Sequence, residues 1–293
     1  MHFVEVSPKT LTAVVAIGKR PIHEIQILSW VERLKGASLE IIFIFDNFTE
    51  KNLESEIRSK FDSDLIKIDI FHVNFDSPGK SREFGLKLAK SEWIVFWDCD
   101  DKPTHINQMV EILRKDCNEI NILISNYNTI SHLTGKSEKN SAPKTLSKWS
   151  KSPGLWRVYF RLERVQNTEF EIIKMGEDQV FLAKCNIEES ETKFVDLVTY
   201  EYFTGLSGQL TQDRSSIKEV NYALKSIENH FRSTGKTKSA YQKQIEVNLT
   251  KSALKIEFIS VTGSFSRLKY LAESHLMRKL IKLKIQYYLK IGS

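Results

Sequence analysis

Cysteine is scarce: Cys99, Cys117 and Cys185 are odd in number and far apart in 293 residues, which excludes a disulfide framework and a zinc-ligand spacing. They read as buried free thiols in a reducing compartment. Long apolar runs are absent as well. None approaches the roughly 20 residues that a membrane-spanning helix needs. The opening "MHFVEVSPKTLTAVVAIGKRP" lacks the basic start, sustained apolar stretch and small-residue cleavage site of a secretory leader. A cytoplasmic location is therefore expected, and "NFT" at Asn47 and "NLT" at Asn248 become chance matches to the glycosylation acceptor. There is also no G-x-S-x-G elbow, no P-loop and no histidine pair at ligand spacing, which sets aside a protease- or esterase-like nucleophile, P-loop chemistry and a histidine metal site.

Net charge is missing from most of the chain. Between Ser264 and Ser293 seven Lys/Arg residues face Glu273 alone, and this excess accounts for the whole net charge of +6. A general nucleic-acid-binding surface is not expected from a body with no net charge.

What the chain does have is strand–helix alternation. "LTAVVAI" (Leu11 to Ile17), "LEIIFIF" (Leu39 to Phe45), "LIKIDIFHV" (Leu65 to Val73), "WIVFW" (Trp93 to Trp97) and "INILIS" (Ile120 to Ser125) read as strands. Helical spacing covers Pro21 to Leu34, about Glu50 to Lys60, the segment after Ser77, and Pro103 to Lys115. Such alternation predicts an α/β fold with a mainly parallel central sheet flanked by helices. Ser131 to Pro153 is polar and aperiodic and reads as a mobile loop or lid. "GLWRVYFRLERV" and "KFVDLVTYEYF" resume order. Beyond about Thr211 the chain is helical: Ser216 to Arg232, Lys238 to Ser260 and Ser264 to Ile291. The division expected is 1–210 for the α/β domain and 211–293 for a C-terminal helical extension.

Four features could carry chemistry. Asp98, Asp100 and Asp101 end a strand that reads as buried. They suit a divalent cation gripping a diphosphate, or simply an acidic turn whose Asp101 caps the next helix. Asp46 also ends a strand, as a ligand contact or as a turn residue. In open α/β sheets both positions face the ligand crevice. Arg82 lies near a helix start, where its charge opposes the helix dipole; an anionic ligand would explain it, and so would plain solvation. Glu177 and Asp178 follow Gly176 at a helix start, where acidic residues belong in any case; one of them could instead be a general base.

Taken in order, "FIFDN", "PGKSREFGLKLAKSEWIVFWDCDD" and "GLWRVYFR…F…MGEDQVFLAKC" resemble the family 2 glycosyltransferases of the GT-A fold, over roughly residues 10 to 205. Two segments depart from the family pattern: "AIGKRP" follows the first strand, and Glu83 follows Arg82 where Asn is common. The resemblance implies an inverting, metal-dependent transfer of a sugar from a nucleotide donor, first of all a UDP-sugar, to a hydroxyl of a glycan or lipid-linked acceptor. It implies that Asp46, Arg82 and Asp98 bind the nucleotide-sugar, and that Asp100, with Asp98, holds Mn²⁺ or Mg²⁺. Asp178, with Glu177 beside it, would be the catalytic base. Trp156, Arg157 and Tyr202 are candidate sugar contacts or core residues. A sugar nucleotidyltransferase and an inactive glycan-binding or scaffold domain are the alternative readings.

The basic tail is amphipathic when projected on a helix. Leu276, Leu280, Leu283 and Tyr287 share one side, and most of its basic residues lie away from it. Peripheral contact with the inner face of an anionic membrane is one expectation, and packing of the apolar stripe on the protein is the other.

Overall fold

The computed structural model describes residues 9–19, 25–48, 51–61, 63–115, 119–140, 143–205, 219–260 and 274–291. The chain forms two compact units. The first comprises Met1–Ala142, Gly154–Glu169 and Glu188–Ser207; the second comprises Pro143–Pro153, Phe170–Ile187 and Gly208–Ser293. The helical second unit thus draws on two segments that precede residue 210 as well as on the C-terminal helices. Cys117 lies outside the described residues, whereas Cys99 and Cys185 are buried and form no disulfide.

In the first unit the elements are β1 (Leu11–Ile17), β2 (Leu39–Asp46), α1 (Lys51–Lys60), β3 (Ile66–Val73), α2 (Pro78–Leu88), β4 (Trp93–Asp98), β5 (Lys102–Pro103), α3 (Ile106–Lys115), β6 (Ile122–Ser131), β7 (Ser137–Asn140), β8 (Val158–Arg161) and β9 (Thr192–Thr204). The strands make one sheet in the order β3-β2-β1-β4-β8-β6-β9-β5, with β7 added on β6. β3, β2, β1 and β4 run parallel, as do β6 and β9. β1, β2 and β4 are continuous runs of large apolar residues because both faces of each are covered. Their register matters for function. Val14 pairs with both Ile42 and Phe96, and Ala16 with Ile44 and Asp98, so the carboxyl ends of β2 and β4 reach one edge of the sheet together. Asp46 and Asp98 are the last residues of those two strands.

Three expectations need correction. Apolar spacing implied a helix to Leu34, but only Ile27–Ser29 forms a 3-10 turn, followed by bends through Gly36. Residues 20–24 lie outside the described residues. Tertiary bonds override the helical spacing here: the Gln26 N–H donates to the Cys99 carbonyl, and the Trp30 indole N–H donates to the Asp101 carbonyl. Next, Lys102–Pro103 does not open a helix. It forms β5, in which Lys102 pairs with Glu201 and Pro103 with Tyr200 of β9, and α3 starts at Ile106. Finally, the polar stretch after Ser131 is not one open loop. β6 and β7 form a hairpin with Tyr127 opposite Asn140 and Ile130 opposite Ser137, turning through Gly135 at φ +66°. β7 is polar throughout because it is mostly exposed, so it gives no alternation to read.

The second unit contains a helical turn at Leu146–Trp149, then α4 (Glu177–Lys184), α5 (Val220–Thr234), α6 (Ala240–Ser260) and α7 (His275–Ile291). α6 closes over the end of α4. Its Tyr241 hydroxyl accepts from the Ile187 N–H at 2.6 Å, and its Gln242 amide donates to the Ala183 carbonyl at 2.7 Å. α7 packs along α6 and buries Leu276, Leu280 and Leu283, while Lys279 pairs with Glu228 of α5. The leucine stripe of the tail is therefore used inside the protein. His275, Arg278, Ile281, Lys282 and Lys284 face outward. Among the described residues no helix is long and apolar enough to cross a membrane.

Candidate active site

The strand edge carrying Asp46 and Asp98 is built around α2. Ser77 caps this helix, its hydroxyl accepting from the Lys80 N–H, and Pro78 follows with φ preset for a first turn. α2 lies so close to β1 that a Cβ on Gly85 would sit 2.4 Å from Val14 Cγ1. Only glycine permits this approach, and it fixes the helix that carries Arg82.

Asp46 is 5% exposed, and its carboxylate is occupied within the protein. Oδ1 accepts from the backbone N–H groups of Phe75 at 2.7 Å and Asp76 at 2.9 Å. Oδ2 accepts from the Ser77 N–H at 3.0 Å and the Ser81 hydroxyl at 2.9 Å. Burial alone would raise its pKa. The donors of Asp76, Ser77, Phe75 and Ser81 outweigh burial and hold the carboxyl below its ordinary value. Asp46 thus ties the end of β2 to the loop before α2, in which Asp76 stands at φ +50°.

Four residues along that helix from Pro78, Arg82 places Nη2 2.7 Å from Asp98 Oδ1. The pair is charge-assisted, with Arg82 largely buried and Asp98 half-buried. Arg82 and Asp98, predicted from separate motifs, are thus in contact.

The three carboxylates after β4 divide into two kinds. Asp101 is 1% exposed and serves the fold. Its Oδ1 accepts from the Phe203 N–H at 2.7 Å, its carboxylate also receives the Tyr200 hydroxyl, and its carbonyl accepts from Trp30. Burial first, then the charges of Asp100 and Asp98, push its pKa well above the ordinary value. It does not cap α3 but binds the turn to β9. Asp98 and Asp100 flank buried Cys99, whose carbonyl accepts from the Gln26 N–H. Among the described residues no three His, Cys, Asp or Glu side chains converge as a closed metal cage. Half-buried Asp98 at the strand end and buried Asp100 in the turn after it nevertheless suit Mg²⁺ or Mn²⁺ in donor type, since these ions take one or two protein carboxylates and complete their shell with phosphate oxygens and water.

Beside this turn stands an aromatic cluster. The Trp156 indole stacks on Tyr200 (4.5 Å between centroids, 12° between planes) and on Tyr202 (5.6 Å, 8°), with Tyr127 edge-on at 4.7 Å. Arg157 lies over the Tyr127 ring at 4.7 Å, and burial lowers its pKa to about 10. A Cβ on Gly154 would come within 2.6 Å of the Trp156 ring. Tyr200 was missed by sequence reasoning; its two-residue spacing from Tyr202 on a strand was the available signal.

Glu177 and Asp178 belong to the second unit and open α4 after Gly176, which stands at φ +88°. The conformation demands glycine, and a Cβ there would be a tight fit, 3.2 Å from Ala223 Cβ and 3.3 Å from Leu249 Cδ2. Glu177 is buried and Asp178 is half-buried, which makes Asp178 the more accessible carboxylate.

A family profile described as "Glycosyl transferase family 2" matches residues 26–169, the stretch that holds Asp46, Arg82 and the acidic turn. No curated protein matches the chain. Among solved structures, S. aureus TarS 1-349 in complex with UDP-GlcNAc gives a TM-score of 0.56 at 16% identity, over 96% of this chain and 92% of that one. The same fragment with UDP gives 0.53, again at 16% identity over 96% and 92%. Mannosyltransferase PcManGT from Pyrobaculum calidifontis, solved with GDP-Man and Mn²⁺, gives 0.51 at 10% identity, over 96% and 87%. These structural likenesses establish the fold: a central α/β sheet with flanking helices and a helical C-terminal part, as expected from sequence. The profile match over residues 26–169 marks a family 2 glycosyltransferase domain in the chain, and the structural likenesses give that domain the GT-A fold.

Proposed function

We propose that the protein transfers a sugar, with inversion, from a nucleotide donor to a hydroxyl of a glycan or lipid-linked acceptor, with a UDP-sugar as the donor. The observation that carries this reading is the Arg82–Asp98 contact beside Asp100 at the carboxyl edge of the sheet. It sets a cation next to two carboxylates, which suits a diphosphate bound with a divalent ion. The TarS fragment solved with UDP and UDP-GlcNAc supports the choice of base, and the PcManGT complex with Mn²⁺ supports the metal.

Asp100 and Asp98 would hold Mn²⁺ or Mg²⁺, which when bound supplies Lewis-acid stabilisation of the negative charge on the departing diphosphate. Arg82 adds a fixed positive charge there. Asp46 shapes the donor pocket from behind, through the 75–77 loop and Ser81. Asp178 is the catalytic base: it takes the proton of the acceptor hydroxyl as that oxygen attacks the anomeric carbon and the bond to the diphosphate breaks. Buried Glu177 sits next to it in the first turn of α4, where the helix dipole favours carboxylates. Trp156 offers an aromatic surface for a sugar ring. The outward face of α7, with Arg278, Lys282 and Lys284 around Ile281, is the surface for an anionic inner membrane leaflet.

The test is a melting panel with UDP, GDP, CDP, TDP and ADP, each with Mn²⁺ and with EDTA, on wild type and Asp100→Ala. A nucleotide at 100 times its Kd should stabilise by about 2.7 kcal/mol. UDP is expected to raise the melting temperature only with Mn²⁺, and Asp100→Ala is expected to lose the rise. A folded wild type that responds to none of the nucleotides would overturn the reading.

A further inference from the structure

The acidic turn is held on several sides, and one holder lies outside every motif that identified the site. Tyr200 is fully buried in β9, so neither donor nor acceptor reaches it. Its hydroxyl nevertheless meets the turn twice. It accepts from the Asp98 backbone N–H at 2.9 Å, and it donates to the Asp101 carboxylate. The ring of the same residue stacks under Trp156, and its backbone pairs with Pro103 just past the turn. A single oxygen thus spans both ends of the Asp98–Asp101 segment, with Asp100 between them.

We infer that Tyr200 is a positioning residue of the donor site, its hydroxyl fixing the turn in the shape that presents Asp98 and Asp100 to a divalent cation with a nucleoside diphosphate. The inference rests on the donor-site reading proposed above. Its physical basis is that an Asp98 N–H without an acceptor, and an Asp101 carboxylate without one of its donors, must find other partners in a buried place. The shortest way to do so is to turn the 98–101 backbone, which moves both candidate ligands.

Tyr200→Phe removes this oxygen and keeps the stacked ring. The measurement is the Kd of UDP by calorimetry on the full chain, with Mn²⁺ and with EDTA, alongside the melting temperature of the unliganded protein. A merely structural role would lower the melting temperature and leave both constants alone. The inference predicts that the Kd with Mn²⁺ rises by about tenfold or more, which corresponds to the loss of one or two buried hydrogen bonds. The Kd in EDTA should change less than about twofold, below the effect of one such bond. An unchanged Kd with Mn²⁺ in folded Tyr200→Phe overturns the inference while the donor site stands. A wild type that binds UDP equally with Mn²⁺ and EDTA overturns the metal-site reading itself, and the inference with it. If Tyr200→Phe does not fold, Trp30→Phe removes a second tether of the same turn, the bond from the indole N–H to the Asp101 carbonyl. That variant must weaken Mn²⁺-dependent UDP binding in the same direction, and wild-type binding by it overturns the inference.

Discussion

Replacing Asp46 by Asn changes one atom of the side chain and should cost far more than such a change usually does. The carboxylate accepts four hydrogen bonds, two on each oxygen, from Phe75, Asp76, Ser77 and Ser81. Asparagine keeps one acceptor oxygen and turns an NH₂ group toward donors that face the other. Two bonds to a charged acceptor are lost, each worth about 1.5 kcal/mol at the low end, so stability at neutral pH should fall by about 3 kcal/mol. The sign of the pH dependence follows from the lowered pKa of Asp46. Its contribution is fully present above the unfolded-state value of about 3.9 and is lost as pH falls through the lower folded value. The gap between wild type and Asp46→Asn should therefore narrow in acid. Urea denaturation at pH 7 and at pH 3 to 4, followed by tryptophan fluorescence, reads this directly, because Trp30, Trp93 and Trp97 are buried in the same unit. A difference at pH 7 of less than about 0.5 kcal/mol, the range of an ordinary surface change, would refute the reasoning.

Gly85→Ala should lose about 1–2 kcal/mol in the same assay. An approach of 2.4 Å to Val14 puts overpacking in the upper part of its usual range, about 2–3 kcal/mol, and the better helix propensity of alanine returns about 1. An unchanged or raised stability would mean that α2 can slide away from β1. Asp178→Asn should lower turnover by about 10²–10⁴-fold and leave the Kd of UDP with Mn²⁺ unchanged, as loss of a general base does. Glu177→Gln, on the buried neighbour, should lower turnover less; the reverse order would move the base to Glu177.

The parallel half of the sheet was readable because β1, β2 and β4 are doubly covered, and a strand covered on both faces is a run of large apolar residues. The acidic turn, Arg82 and the Glu177–Asp178 pair stood out as candidates because their motifs follow one another in the order of a family pattern. Local sequence could not show that Trp30 and Gln26 bind the acidic turn, since those bonds join residues about 70 positions apart and replace a helix that the spacing favoured. β7 was hidden by its polarity: an exposed edge strand buries neither face and leaves no alternation. Asp101 looked like its two neighbours. Only its bonds to β9, about 100 residues on, mark it as a carboxylate that holds the fold and set it apart from the two proposed as metal ligands. The same distance hid Tyr200, whose hydroxyl is opposite Asp98 only once β5 has paired with β9.

That division among the three carboxylates is the central claim, and Asp100→Ala and Asp101→Ala measured side by side test it most directly. For each, the melting temperature without ligand and the Kd of UDP with Mn²⁺ are determined. Asp100→Ala should abolish Mn²⁺-dependent UDP binding in a protein that still folds. Asp101→Ala should lose about 2–4 kcal/mol of stability, because the Phe203 N–H and the Tyr200 hydroxyl are left buried without their acceptor. An Asp101→Ala protein as stable as wild type, or an Asp100→Ala protein that binds UDP with Mn²⁺ as wild type does, would contradict the account.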